Sequence, residues 1–426
     1  MAKQRTILWA TDSPFLMTGY SSISLNLLNR LADKGWDVHW LTHTFMGQKI
    51  TQQPLSTWLD TLKPKVSTED YTQLAATFSK YNLTVPGAYL WEGVPFNFTL
   101  HGQGTQPYCA DLIVPKIKQL KPDFFGVLWD TFFLYPWAMN LDFSPAKSIF
   151  YYPSDGREFP QGCENLLRKF NIPVAMSKYG QRTIKEQFNI DAHYIPHACD
   201  PNHFYRLSND ERDALRVKYG LKGKFVVGVV ARNQGRKMLD RTIIPFKFIA
   251  EKYPDAILLM HTDPDDLTQV FNLRSEIQKL GIGHRVFFTG MKYHEPFSYQ
   301  QMNEIYNLMD VFMLGTSGEG FGVPLIEAMA CEIPIVATDY TSTEELTMDG
   351  GVSGIPIALQ TEILGNWAVY RGISDHDSAV ENVSLLYEDE NERRLMGKRG
   401  RLKVLREYNW DKVTNSWIKL LEENMK

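Results

Sequence analysis

From Val311 to Ala337 the chain reads VFMLGTSGEGFGVPLIEAMACEIPIVA. An apolar run, a turn with four glycines, a proline-opened helical stretch and a second apolar run follow one another without a break. The order predicts strand, loop, helix, strand, with Pro324 where an early helical position tolerates a missing N–H. In such a unit the helix start faces out of the carboxyl edge of the sheet. Its unpaired N–H groups and positive dipole end make Gly322 to Leu325 a place for a phosphate.

Glu319 and Glu327 stand eight positions apart, one in the glycine turn and one on the helix. A carboxylate beside bound phosphate is repelled, so each is better suited to accepting hydrogen bonds from sugar or ribose hydroxyls. The stretch Glu319-Gly320-Phe321-Gly322-Val323-Pro324-Leu325-Ile326-Glu327 resembles the E-x7-E signature of family 4 retaining glycosyltransferases, which have the two-domain GT-B fold. That resemblance implies an α/β protein with two Rossmann-like, doubly wound domains facing across a cleft.

Length and composition are compatible with this. A chain of 426 residues is too long for one ordinary core and divides naturally in two. With 44% hydrophobic and 22% charged residues it has a globular composition, and a net charge of -4 gives no global reason to expect nucleic acid. The four cysteines are scattered without metal-ligand spacing, as in reduced thiols of a cytosolic protein. No apolar run approaches a membrane span or a signal peptide, so a cytoplasmic protein with at most peripheral membrane contact is expected.

The first strand is predicted at Thr6 to Ala10, followed by a loop with Gly19 and a helix bearing Ile23, Leu27, Leu28 and Leu31. By resemblance, Gly19 approaches the donor diphosphate. Residues 44 to 110 show no clear period, and acceptor identity is hidden there. The α/β rhythm returns through FFGVLW and SIFYYP, after which Asp130 and Asp155 stand at strand ends. Each is a helix cap or turn aspartate, or orients an acceptor hydroxyl. The histidine that many family members carry after the strand equivalent to SIFYYP is replaced here by Pro153, Ser154 and Asp155. His197, in an I-P-H-x-x-D turn, is either a structural residue of the cleft or a substrate contact.

The second half opens on the strand Phe225 to Val230, and Arg232 and Lys237 lie five apart in the loop after it. Their spacing matches the family's G-R-x-x-x-x-K loop, with Ala231 where glycine is usual. Breaking a glycosidic bond to a diphosphate builds charge on the leaving group, and two fixed cations in a dry cleft stabilise it. Arg236 and Arg241 are left unassigned. Asp263 to Asp266 reads as the acidic start of a helix. Tyr340, Thr341 and Ser342 replace glycines that the family has beside the sugar.

The resemblance thus implies a metal-independent retaining transferase, without cofactor, that moves a hexose from a nucleoside diphosphate sugar, UDP or GDP, to an acceptor hydroxyl. Arg232, Lys237 and Glu319 would be catalytic. Gly19, Gly320, Phe321, Gly322, Val323, Pro324, Leu325 and Glu327 would bind the donor, and Asp130, Asp155 and His197 are acceptor-side candidates. The expected divisions are 1–204 for the acceptor domain, 205–405 for the donor domain, and 406–426 for a helix crossing back to the first. A sugar-nucleotide epimerase and a non-catalytic nucleotide-sugar-binding module remain alternatives.

Overall fold

The computed structural model describes residues 4–14, 18–43, 84–85, 88–91, 94–102, 106–160, 162–265, 271–291, 297–348 and 352–425. Most of the irregular stretch 44–110 lies outside them.

Among the described residues ten strands lie in the first half: β1 (Thr6–Asp12), β2 (Asp37–His43), β3 (Thr84–Val85), β4 (Ala88–Trp91), β5 (Val94–Asn97), β6 (Thr99–His101), β7 (Phe124–Leu128), β8 (Lys147–Tyr152), β9 (Ile172–Ala175) and β10 (His193–Tyr194). All but the β4–β5 hairpin form one sheet in the order β10-β9-β8-β7-β1-β2-β6-β3. It is parallel except at the short edge strand β3. The second half contributes β11 (Phe225–Val230), β12 (Ala256–His261), β13 (Val286–Phe288), β14 (Val311–Leu314), β15 (Ile335–Thr338) and β16 (Gly354–Ile357). These form a parallel sheet ordered β13-β12-β11-β14-β15-β16. A further hairpin pairs β17 (Leu359–Leu364) with β18 (Tyr370–Ser374).

Helices on both faces account for the unbroken apolar strands: every residue of β7, β11, β12 and β14 is buried. In both sheets the strand order reverses beside the first strand, between β1 and β7 and between β11 and β14. Ligand crevices of open α/β sheets lie at such switch points.

Two local expectations shift. Strand β15 begins at Ile335, two residues into the second apolar run, because Pro334 has no N–H for the ladder. Among the described residues the helix after β12 begins at Leu273, where the Asn272 side chain accepts from the Ser275 N–H. Asp265 instead grips Arg274 in two bonds of 2.8 Å, and Asp266 lies outside the described residues.

The last helix, Trp410–Asn424, lies against the first sheet. Trp417 meets Trp9 of β1 edge-on, with ring centroids 5.6 Å apart, and Tyr151 of β8 at 5.0 Å.

Candidate active site

The glycine turn and the Arg232–Lys237 loop leave adjacent strand ends at the second switch point, and their charged groups meet. The Lys237 ammonium donates to both Glu319 carboxylate oxygens, at 2.7 and 2.8 Å. Arg236 donates to the same carboxylate at 3.0 Å and to the Gly318 carbonyl at 2.7 Å. Thr316 adds a hydroxyl bond of 3.0 Å. Burial alone would raise the Glu319 carboxyl, but Lys237 and Arg236 overcome it and hold the group down to about 2. Lys237 is itself lowered, by burial first and also by Arg236 beside it, with Glu319 acting in the opposite sense. Glu319 is therefore ionised at neutral pH, with Lys237 and Arg236 as its counter-ions.

Arg236, unassigned from sequence, is therefore central. Its Nε also contacts Asp155 at 3.1 Å. Arg232 sits half-buried at the start of the loop, and Lys237 is buried.

Glu327 projects from the helix Val323–Ala330 and accepts from the Tyr306 hydroxyl at 2.7 Å. Burial pushes its carboxyl up to about 7, although the Tyr306 bond pulls the other way. Val323 and Glu327 line a small cavity with Asn26 of the first half and Tyr299 of the second, so it lies between the two halves. At about 20 Å³ it admits roughly one water. Anything larger than a water can enter this cavity only if the halves move apart.

Phe321 is buried between His197 and Tyr408, at 5.1 and 5.5 Å, so its ring packs the core and leaves only its backbone for a ligand. Gly322 precedes the helix at φ 101°, a conformation that favours glycine. Leu325 is fully buried, and Pro324 stands in the first turn. His197 is also buried, bonded to the Tyr151 hydroxyl at 2.7 Å, and burial drives it down to about 3, so it is neutral.

Across the cleft, Gly19 opens the helix Gly19–Asp33, with open space where a side chain would stand. Asp130 occupies the N-cap position of the helix Thr131–Ala138 but makes no cap bond. Its carboxylate accepts instead from the Tyr20 hydroxyl at 2.9 Å. Burial, then the nearby Asp155 charge, raises it to about 7. Asp12, which the sequence did not single out, is also raised by burial and accepts from Thr18 at 2.7 Å and Trp129 at 3.2 Å. It ends β1 at the first switch point, and that topological position was the only signal available.

The halves are clasped at this rim. Asp155 lies between Arg236 and Arg371, at 3.1 and 3.0 Å. Arg157 and Tyr370 exchange backbone bonds of 3.1 and 3.0 Å, and Trp367 at the tip of the β17–β18 hairpin stacks on Phe132 at 5.3 Å. The glycine turn fits against the same segment: a Cβ on Gly318 would fall 2.0 Å from the Asp155 carbonyl oxygen, and one on Gly320 would fall 2.7 Å from Pro153. Where the family has glycines, the Thr341 hydroxyl bonds Glu319 N and O at 2.9 Å, and Ser342 caps the Glu319 and Phe321 carbonyls at 2.9 Å. Hydroxyls here pin the loop that carries Glu319.

Two Rossmann-like halves joined in this way define the GT-B class. Solved structures share the fold across the chain. Sucrose-phosphate synthase from Thermosynechococcus elongatus superposes with a TM-score of 0.70 at 15% identity, covering 99% of both chains. Anabaena Alr3699/HepE, in complex with UDP and glucose, gives 0.68 at 15% identity, covering 99% of this chain and 100% of its own. Residues 211–403 match the model of glycosyl transferases group 1. The mannosylfructose-phosphate synthase of Agrobacterium fabrum is 33% identical over 153 residues, which make up 34% of this chain and 32% of that protein. The chain spans between 32% and 64% of the length of such curated relatives. Among the described residues no helix is long and apolar enough to cross a membrane.

Proposed function

We propose that the protein transfers a hexose from a nucleoside diphosphate sugar to an acceptor hydroxyl with retention of configuration. One observation carries the reading: a buried cluster of Lys237, Arg236 and Glu319 sits at the switch point of the second sheet, beside the helix that bears Glu327. In this reading Lys237 and Arg232, with Arg236, take up charge on the leaving diphosphate. Glu319 and the backbone of Gly320 to Gly322 hold the sugar, and Glu327 accepts from the ribose hydroxyls. The departing phosphate can take the acceptor's proton, so no protein base is required. Asp130, Asp155 and Tyr20 face the acceptor side and orient its hydroxyl, while His197 is a packing residue of the cleft. Residues 1–204 form the acceptor domain, 205–405 the donor domain, and 406–426 return to the first. A relative crystallised with UDP and glucose supports a UDP-sugar as the first donor to try.

The test is a thermal-shift screen against UDP, GDP, ADP and their sugar conjugates. Binding to the folded state alone adds about 2.7 kcal/mol at a hundredfold excess over Kd. A rise with one base, followed by sugar transfer in an acceptor panel, is expected. No rise with any nucleotide overturns the reading, and ligand binding without turnover favours a non-catalytic module.

Two further outcomes are expected. Because Glu327 titrates near pH 7, affinity for a nucleotide sugar should weaken as pH falls from 8 to 6: the protonated carboxyl loses acceptor capacity for the ribose diol. Calorimetric titration should show this limb, and Glu327→Gln should flatten it. Gly318→Ala should cost about 10²-fold in turnover, since its Cβ would collide with the first half and misplace the closed cleft. Nucleotide binding measured on the same variant should change far less.

A further inference from the structure

A cavity of about 230 Å³ lies away from the cleft. It lies at the opposite, amino-terminal edge of the second sheet, where Met309 and Asp310 lead into β14 and Ile333 and Pro334 lead into β15. We propose that it is a binding site for a phosphate group, distinct from the nucleotide-sugar site.

The charge around it does not balance. Five cations face three carboxylates on the walls. Arg212 is neutralised by Asp310 at 2.8 Å, and Arg394 by Glu390 at 2.6 Å. Arg393 gives a bond of 2.6 Å to the Leu386 carbonyl and lies over the Phe225 ring, but no carboxylate pairs with it. Arg206 and Lys398 make no hydrogen bond or ion pair with the described residues. Against these three positive groups the walls leave Glu332, which acts on Arg206 through space together with the already paired Asp310.

A half-buried guanidinium with five donors and no acceptor is costly, and burial already lowers Arg206 to about 10. A phosphate monoester satisfies it best: it carries a charge of about -1.5 to -2 at neutral pH and three strong acceptor oxygens. The charge matches the excess of two, and the oxygens suit the planar fork of an arginine. The space holds a phosphate with a small substituent but is below the roughly 300 Å³ of ordinary ligand pockets. Arg206 belongs to the segment crossing between the halves, where Tyr205 and Leu207 are held by Asn303 and Asn307 at 3.0 and 2.9 Å. An occupant would therefore tie the crossover to the helix Glu390–Glu407 that carries Lys398.

The test titrates inorganic phosphate into the full chain by calorimetry at constant ionic strength, with the Arg206→Gln, Lys398→Gln and double variants. Arg232→Gln serves as a variant of the cleft. Saturable binding is expected in the wild type and in Arg232→Gln, at least tenfold weaker in Arg206→Gln and absent from the double variant. Glycerol 3-phosphate and vesicles of phosphatidic acid in phosphatidylcholine separate the sources. Competition by the former marks a soluble monoester, and pelleting with the vesicles, lost in the double variant, marks a lipid headgroup. Binding that persists in the double variant, disappears in Arg232→Gln, or is matched by chloride overturns the proposal.

Discussion

Replacing Lys237 by alanine should lower turnover of the nucleotide sugar by about 10²- to 10³-fold, the loss seen when one preorganised group facing developing charge is removed. The ammonium is buried, and its position is fixed by two bonds to Glu319 instead of by solvent. It needs no reorganisation as charge moves onto the diphosphate, so the effect should fall on kcat more than on donor binding. The substitution also leaves the Glu319 carboxylate with Arg236 as its one remaining cation, at 3.0 Å. Stability should therefore fall, by less than the roughly 3–5 kcal/mol of a wholly orphaned buried charge. Initial rates on a folded sample, verified by thermal denaturation, separate the two effects. Unchanged kcat would remove Lys237 from the machinery.

This cluster also shows what the sequence could and could not convey. The unit from Val311 to Ala337 was legible because strand, glycine turn and proline-opened helix each leave a local signature, and the alternation of apolar runs disclosed both sheets. Lys237 and Glu319 were legible as types of residue. That they bind each other was not, because the loops come from strands β11 and β14, neighbours only through the reversed strand order. Arg236 looked like a spare surface charge, since nothing local places Asp155 of the other half 3.1 Å from it. Gly318 and Gly320 read as turn residues, yet their crowding arises from Asp155 and Pro153 across the cleft. Asp130 was open to a capping role on local grounds, and only Tyr20, 110 positions away, draws its carboxylate elsewhere. Local patterns resolved the elements, while contacts between halves assembled the site.

The largest loss of stability is expected away from the cleft, in Asp310→Ala. Asp310 follows the helix Tyr299–Leu308 in the chain, and nothing in the local sequence distinguishes it from a turn aspartate. In the structure it is the bolt at the start of β14. Its backbone N–H donates to the Val226 carbonyl and its carboxylate accepts from the Val226 N–H, both at 2.8 Å, joining β14 to β11. The same carboxylate pairs with Arg212 at 2.8 Å and with Arg216. Burial alone would raise its pKa, but the two guanidiniums more than offset this and lower it. Alanine would strand both arginines in a buried setting and orphan the Val226 N–H, for a cost of about 3–5 kcal/mol. In a domain of this size that is on the order of 10 °C in Tm. Asparagine keeps the shape and one acceptor, so Asp310→Asn should lie between. The pH dependence has a definite sign. Because the folded pKa is depressed, the contribution of Asp310 is complete above the unfolded value near 4 and is lost as pH falls through the lower folded value. Over that interval the stability of the wild type should therefore fall more steeply with acidification, while Asp310→Ala should lose less of its remaining stability. Equal midpoints for wild type and Asp310→Ala in urea at pH 7 would mean that the strand pair carrying the glycine turn is held by packing alone.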